Sequence, residues 1–83
     1  MAEKKLLQLT ISRVDGPLFD GEVVSVTVPG SEGEMTLMAG HESLMTALKA
    51  GTITIKEAAG TTKEFTIEFG TLEVSTNHAS VLV

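Results

Sequence analysis

The chain of 83 residues contains no cysteine, tyrosine or tryptophan. Without cysteine it has neither disulfide bonds nor thiolate metal ligands, which fits a reducing compartment, so a cytoplasmic location is expected. Without tyrosine or tryptophan it lacks an aromatic platform for stacking on sugars or nucleic-acid bases. Six basic and eleven acidic residues give a formal net charge of −5, so a nucleic-acid partner is not expected.

Long apolar runs are also missing from the sequence. No stretch approaches the roughly 20 apolar residues of a membrane-spanning helix, and the amino-terminal residues alternate in polarity instead of forming a signal-peptide core. Membrane association is therefore expected only through a partner. The chain does contain 42% apolar residues, with a mean hydropathy of +0.24. This content is enough for one packed core, so we expect a single domain over residues 1–83.

Apolar and polar residues alternate along most of the chain, as they do in half-buried strands. The predicted apolar faces consist of Leu7, Leu9 and Ile11; Val24, Val26 and Val28; Ile53 and Ile55; Phe65, Ile67 and Phe69; Leu72 and Val74; and Val81 and Val83. Val23 is assigned to the polar face of the second strand. Turn signals at 15–18, 58–62, 70 and 76–78 are spaced like hairpin connections. The sequence thus predicts an all-β, antiparallel, flattened sandwich or barrel with about seven to nine short strands.

One stretch, PGSEGEMTLMAGHESLMTALKAG at residues 29–51, departs from this pattern. It contains four glycines, three glutamates, three of the four methionines and one of the two histidines. At residues 42–51, leucine and methionine recur at spacings of three and four, and Gly51 stands where a helix could end. This segment is predicted to be a helical turn or an irregular crossover.

The sequence lacks the complete sets of residues that catalysis, metal binding or phosphate binding would need. There is no GxSxG elbow for a nucleophilic serine, and the two histidines, His41 and His78, are too far apart in sequence for a typical zinc site. The acidic residues at 15–22 lack the spacing of a calcium loop, and are interpreted as a solvated turn. PGSEGE carries two glutamates and no lysine, which disfavours phosphate binding. We therefore expect no catalytic residues, no metal site and no cofactor.

Partner contact is the remaining interpretation of the 29–51 stretch. Its methionines suit adaptable apolar contacts, and its interleaved polar side chains have no role in a core. Loops carry function more often than strands do, so this end of the sandwich is the predicted partner surface.

The run VPGSEGEMTLMAGHESLMTALKAGTITI resembles the signature of the epsilon subunit of F-type ATP synthases, V-x-G-S-E-G-E-x-G-x-x-P-G-H-A-P-L-L-T-x-L-x-P-G. LFDGEVVSVTVPG and FGTLEVSTNHASVLV are similar to two further segments of that family. The resemblance implies a ten-stranded β-sandwich at the foot of the central stalk, with no catalytic role of its own. One side would bind the gamma subunit and one end the polar loops of the c-ring, coupling proton flux to ATP synthesis in the catalytic sector.

The resemblance also implies contact residues and a location. The residues assigned to the c-ring end are Ser31, Glu32, Glu34, Met38, His41, Glu42 and Ser43. As part of the complex, the chain would lie peripherally at the cytoplasmic face of the bacterial plasma membrane. The family's C-terminal helical hairpin has no counterpart in these residues, so a naturally short epsilon subunit and a fragment both stay open. Neither inhibition of ATP hydrolysis by that hairpin nor a nucleotide site is implied.

The chain departs from the family pattern within the 29–51 stretch and near its end. Thr36 and Phe69 replace glycines, Ala39 and Ala50 replace prolines, and Glu42 and Ser43 replace Ala-Pro. Fewer prolines leave the backbone of the stretch less restricted.

The alternative function is a biotinyl- or lipoyl-type carrier domain, which is also a flattened β-sandwich of this size. GEMTLM is weakly similar to a carrier turn, but it contains no lysine to be modified.

Overall fold

The computed structural model describes residues 6–40 and 42–83, and those residues form eight strands without a helix. The strands are β1 (Leu7–Arg13), β2 (Gly16–Gly30), β3 (Gly33–Met38), β4 (Leu44–Leu48), β5 (Gly51–Glu57), β6 (Thr62–Ile67), β7 (Gly70–Ser75) and β8 (His78–Leu82). The prediction of an all-β fold with seven to nine strands is confirmed; the resemblance implied ten. Within the described ranges, no helix is long and apolar enough to cross a membrane.

The 15-residue strand β2 connects two groups of strands. Its first half pairs with β1, which continues through β8 and β7 to β4, while its second half pairs with β3 and with β5, which continues to β6. A single pair, Gly30 with Leu48, joins β4 back to β2. Seven of the eight pairings are antiparallel. The parallel β1–β8 pair corrects the wholly antiparallel prediction, and no hairpin turn joins these two strands.

One hydrophobic cluster lies between the two groups of strands. Its buried members are Leu7, Leu9, Ile11, Val23, Val26, Val28, Leu37, Leu48, Ile53, Ile55, Ile67, Leu72, Val74, Ala79 and Val81. No polar or charged residue in the described ranges is buried. Most of the predicted apolar faces therefore form the core, because side chains of alternate strand residues point to the same side of a sheet.

The predicted faces of β2 are partly wrong. Val23, assigned to the polar face, is fully buried, and Val24, assigned to the apolar face, is half-buried. The register of β2 against β5 shifts between Val23 and Ser25. Such a bulge adds one residue to one strand, and it moves Val23 to the same side as Val26.

The predicted helical turn or irregular crossover at 42–51 is also wrong. Leu44–Leu48 is strand β4, paired along its whole length with β7, and Gly51 already begins β5. Along β4, Leu44 and Leu48 face inward while Met45 and Ala47 are exposed. A short apolar run fits a helix or a strand by periodicity alone, and here the ladder with β7 decides for the strand.

Two boundaries differ from the prediction. The turn after β1 consists of Val14 and Asp15, so most of the 15–22 segment, interpreted as a solvated turn, belongs to β2. Phe69, predicted on a buried face, lies in the link between β6 and β7 and is 69% exposed. The alternation ends at Ile67 because the chain there leaves the β5–β6 pair to join β4 and β8.

Candidate partner-binding site

The structure divides the predicted contact residues between two places. Ser31 and Glu32 form the turn between β2 and β3, and Glu34 lies at the start of β3. Met38 ends β3, and Glu42 and Ser43 precede β4. The predicted contact residue His41 lies outside the described residues. Since β3 runs five steps from Gly33 to Met38, the two places are about 17 Å apart.

We call residues 31–34 the acidic turn, and residues 38–40, 42 and 43 the 38–43 segment. They lie at opposite ends of β3, so the six predicted contact residues that the structure describes fall into two separate groups. Strand β3 was not predicted from the sequence, because the glycines and methionines of the stretch drew attention away from the alternation of apolar and polar residues in GEMTLM.

Backbone hydrogen bonds hold the acidic turn and the residues before it against the end of β4 and the residue that follows it. The Ser31 amide donates to the Ala47 carbonyl at 2.9 Å, and the Lys49 amide donates to the Pro29 carbonyl at 2.9 Å. These bonds satisfy main-chain groups beyond the end of the β2–β3 ladder. The acidic turn is thereby fixed to β4, which belongs to the group of β1, β8 and β7, as well as to its own hairpin.

Close backbone approach requires glycine next to the acidic turn. A Cβ atom on Gly30 would lie 2.6 Å from the Gly33 carbonyl oxygen and 3.3 Å from the Met35 sulfur. A Cβ atom on Gly51 would lie 2.8 Å from the Pro29 Cβ. Two of the glycines that made the sequence stretch conspicuous therefore serve packing.

The acidic turn presents exposed carboxylates. Glu32 and Glu34 are both exposed, and in residues 6–40 and 42–83 neither forms an ion pair. An ion pair does form elsewhere in the described chain, between Lys63 on β6 and Glu57 on β5 at 3.4 Å. No group of three or more histidine, aspartate or glutamate side chains within the described chain could hold a metal ion. The turn thus offers negative charge to donors of a partner.

The 38–43 segment presents an exposed apolar side chain and is tied to a different turn. Met38 is 55% exposed, and Met45 on the following strand is 68% exposed. The Gly40 amide donates to the Asn77 side-chain oxygen at 2.9 Å, which connects the segment to the turn between β7 and β8. The sequence marked Asn77 only as a hairpin break.

A polar cluster lies on an outer strand face of β1, β2 and β8. The Thr10 hydroxyl is 3.4 Å from the Asp20 carboxylate and 3.5 Å from His78 Nε2. The side-chain amide of Gln8 donates a hydrogen bond to the Asp20 carboxylate at 2.9 Å. These are neighbouring side chains of paired strands, and none of them lines either of the two clefts described for the chain. The cluster therefore lies outside both of these clefts.

The larger cleft was not predicted from the sequence. It has a volume of about 530 Å³ and opens between β6 and the β1–β2 hairpin, with Arg13, Leu18 and Phe69 in its walls. Leu18 is 37% and Phe69 69% exposed, so part of the rim is apolar, while Arg13 and Glu68 add charged groups to the lining. Its residues come from distant parts of the sequence, which left no local signal.

GEMTLM, the segment compared with a carrier turn, forms strand β3, which pairs along its length with β2. A swinging-arm lysine needs an exposed hairpin turn, and this segment provides neither the turn nor the lysine. The carrier interpretation is therefore not favoured.

Comparison with protein families gives a match over nearly the whole chain. The model of the family described as the beta-sandwich domain of the ATP synthase delta/epsilon chain matches residues 6–83. The chain is 40% identical over 77 residues to the ATP synthase epsilon chain of Sulfurimonas denitrificans, covering 93% of this chain and 59% of that relative. It is 42% identical to the epsilon chain of a Nitratiruptor species, covering 93% and 60%. The chain thus spans about three fifths of the length of these relatives.

Solved structures show the same fold. A chain of the Euglena gracilis mitochondrial ATP synthase, solved as OSCP/F1/c-ring in rotational state 1, superposes with a TM-score of 0.89 at 27% identity, covering 95% of this chain and 51% of that chain. A chain of the Tetrahymena thermophila mitochondrial ATP synthase, solved as central stalk and c-ring, gives a TM-score of 0.77 at 18% identity, covering 99% and 66%. The second similarity shows the fold alone.

Proposed function

Because this chain belongs to the ATP synthase delta/epsilon chain beta-sandwich family, we propose that it is the sandwich of an epsilon subunit and serves as a non-catalytic part of the rotor. It would bind the gamma subunit and the c-ring loops, and so couple proton flux to ATP synthesis in the catalytic sector. The family match over residues 6–83 is the observation that carries this proposal. The bacterial epsilon chains among its relatives support a place at the cytoplasmic face of the plasma membrane.

A rotor component must transmit torque between two partners, which requires a stiff body with separate contact surfaces. The apolar core without buried polar groups provides the stiff body in the described residues. The two ends of β3, about 17 Å apart, provide the separate surfaces.

The acidic turn is the surface proposed for the c-ring loops. Its exposed Glu32 and Glu34 suit the polar loops that the family resemblance implies. Charge of one sign also favours a fixed orientation of the partner, since electrostatic complementarity contributes more to specificity than to affinity.

The 38–43 segment, together with the exposed Met45 on β4, is the surface proposed for the gamma subunit. Met38 and Met45 are both more than half exposed, and methionine adapts its shape to an apolar partner. Of the seven contact residues predicted for the c-ring end, we therefore propose Ser31, Glu32 and Glu34 for the c-ring, and Met38, Glu42 and Ser43 for gamma. His41 lies outside the described residues and is assigned to neither surface.

Size-exclusion chromatography with purified gamma subunit tests the proposal. At micromolar concentrations the two chains should elute as one complex, and separate elution would overturn the rotor assignment. Met38→Glu should weaken the complex at least tenfold, because it places a charge in an apolar contact. Thr52→Glu, on an exposed position of β5, should leave it unchanged. Equal weakening by both variants would contradict the proposed gamma surface.

Neutralising the acidic turn tests the c-ring contact. The double variant Glu32→Gln, Glu34→Gln keeps the shape of both side chains and removes their charge. In membranes reconstituted with the assembled complex, proton pumping per ATP hydrolysed should fall, and it should fall most at low ionic strength. Glu64→Gln, on β6, is the matched control. Pumping equal to the unmodified complex at every ionic strength would exclude a role of these charges.

A further inference from the structure

Asn77 joins three parts of the chain that are distant in sequence. It ends the short turn between β7 and β8 with a positive φ of 58°, a conformation that asparagine tolerates better than most residues. Its backbone carbonyl accepts a hydrogen bond from the Gln8 amide at the start of β1, at 2.9 Å. Its side-chain oxygen accepts the bond from the Gly40 amide, also at 2.9 Å.

The Gly40 amide lies between strands β3 and β4, so no strand ladder fixes its position. Gly40 has a positive φ of 86°. Ala39 before it has no ring that would fix its own φ. The Asn77 side chain supplies a fixed acceptor at this point, and it fixes the position of Gly40 relative to the β7–β8 turn.

We propose that Asn77 is a positioning residue: its side-chain amide holds the 38–43 segment in the conformation that binds gamma. This inference rests on the proposed function, because it concerns the surface assigned there to the gamma subunit. A segment held in its bound conformation loses less conformational entropy on association, and so binds more tightly. Asn77 itself need not touch the partner.

A purely structural role for Asn77, as the residue that allows the turn, makes a different prediction. Glycine adopts a positive φ at least as readily as asparagine, so Asn77→Gly preserves the turn and removes only the side-chain acceptor. Aspartate also tolerates this conformation and keeps an acceptor oxygen, so Asn77→Asp preserves both. If Asn77 serves the turn alone, all three proteins bind gamma equally.

Two measurements on the 83-residue chain test the proposal. The first is amide hydrogen exchange at Gly40, followed by NMR. Exchange should be at least several-fold faster in Asn77→Gly than in the unmodified chain, and Asn77→Asp should restore the slow rate. Exchange at Ser31, at the other end of β3, should be the same in all three proteins and serves as the internal control.

The second measurement is the affinity for purified gamma subunit by titration calorimetry. Asn77→Gly should bind about threefold to tenfold more weakly, as expected for one hydrogen bond, with rescue by Asn77→Asp. Unchanged Gly40 exchange, or faster exchange with unchanged affinity, would overturn the positioning role. If the unmodified chain does not bind gamma at all, the proposed function fails, while Gly40 exchange still decides whether Asn77 holds the segment.

Discussion

The acidic turn and the 38–43 segment lie at opposite ends of the same strand, and different kinds of bond hold them. At the acidic turn, main-chain groups pair with main-chain groups, as between Ser31 and Ala47. At the other end, the Gly40 amide donates to the side chain of Asn77. The first end should therefore be sensitive to added atoms, because its backbones approach closely. The second is sensitive to the removal of one side chain.

Truncating a core side chain of β3, the strand that connects both ends, should have the largest effect on stability. Leu37 lies on β3 between them and is fully buried. Leu37→Ala should lower the free energy of unfolding by about 3 kcal/mol, since it leaves a cavity in the core. In a domain of this size, the melting temperature should fall by more than about 10 °C, measured by circular dichroism.

Leu82→Ala is the matched control for that change, because Leu82 is 57% exposed. Its cost should stay below about 1 kcal/mol. Amide exchange in Leu37→Ala should become faster at Ser31 and at Gly40 together. If one end loosened and the other did not, β3 would not support the two ends jointly.

Adding one methyl group beside the acidic turn should have the next largest effect. Gly30→Ala places a Cβ atom 2.6 Å from the Gly33 carbonyl oxygen, which forces the turn to open. The expected loss of stability is about 1–3 kcal/mol, measured by urea unfolding. Ser31 should then exchange faster, while Gly40 keeps the rate of the unmodified chain.

The control for this prediction lies on the same strand. A Cβ atom on Gly21 would be 3.6 Å from the Phe19 ring, an ordinary contact. Gly21→Ala should therefore change stability by less than about 0.5 kcal/mol. Equal losses from both substitutions would show that alanine on β2 is unfavourable in general, and that close approach at Gly30 is not the cause.

Alternation was enough to predict the all-β fold and most of the core. It predicted Leu7, Leu9 and Ile11 correctly, because β1 is regular and has one face against the core. It failed at Val23, where a bulge changes the side to which the residues point. A bulge depends on how two strands are paired, and one strand's sequence does not contain that information.

The arrangement of the candidate site could not be predicted from the sequence. Composition and the family resemblance both indicated the 29–51 stretch as a contact surface, and its residues were expected at one end of the domain. Their separation follows from β3 and from the pairing of β4 with β7, which are long-range contacts. The bond between Gly40 and Asn77 joins positions in different hairpins, so no local pattern could have predicted it.

The smallest predicted effect concerns Thr36, which lies between the two ends and replaces a glycine of the family pattern. Its hydroxyl is 3.0 Å from that of Thr27 on the paired strand. Thr36→Val removes this hydrogen bond and keeps the branched side chain, and should cost about 0.5 kcal/mol. Thr36→Gly should cost about 1 kcal/mol, because glycine also weakens the strand.

A double-mutant cycle with Thr27→Val and Thr36→Val measures the contribution of the hydrogen bond between the two hydroxyls apart from the β-propensity of each residue. Combining Thr27→Val with Thr36→Val should recover most of the loss, since neither hydroxyl is then left without its partner. Amide exchange at Ser31 and Gly40 should stay unchanged in every variant, because the pair lies within the ladder and supports neither end directly. Faster exchange at Gly40 alone would contradict this, and would show that the 38–43 segment depends on β3 pairing as well as on Asn77.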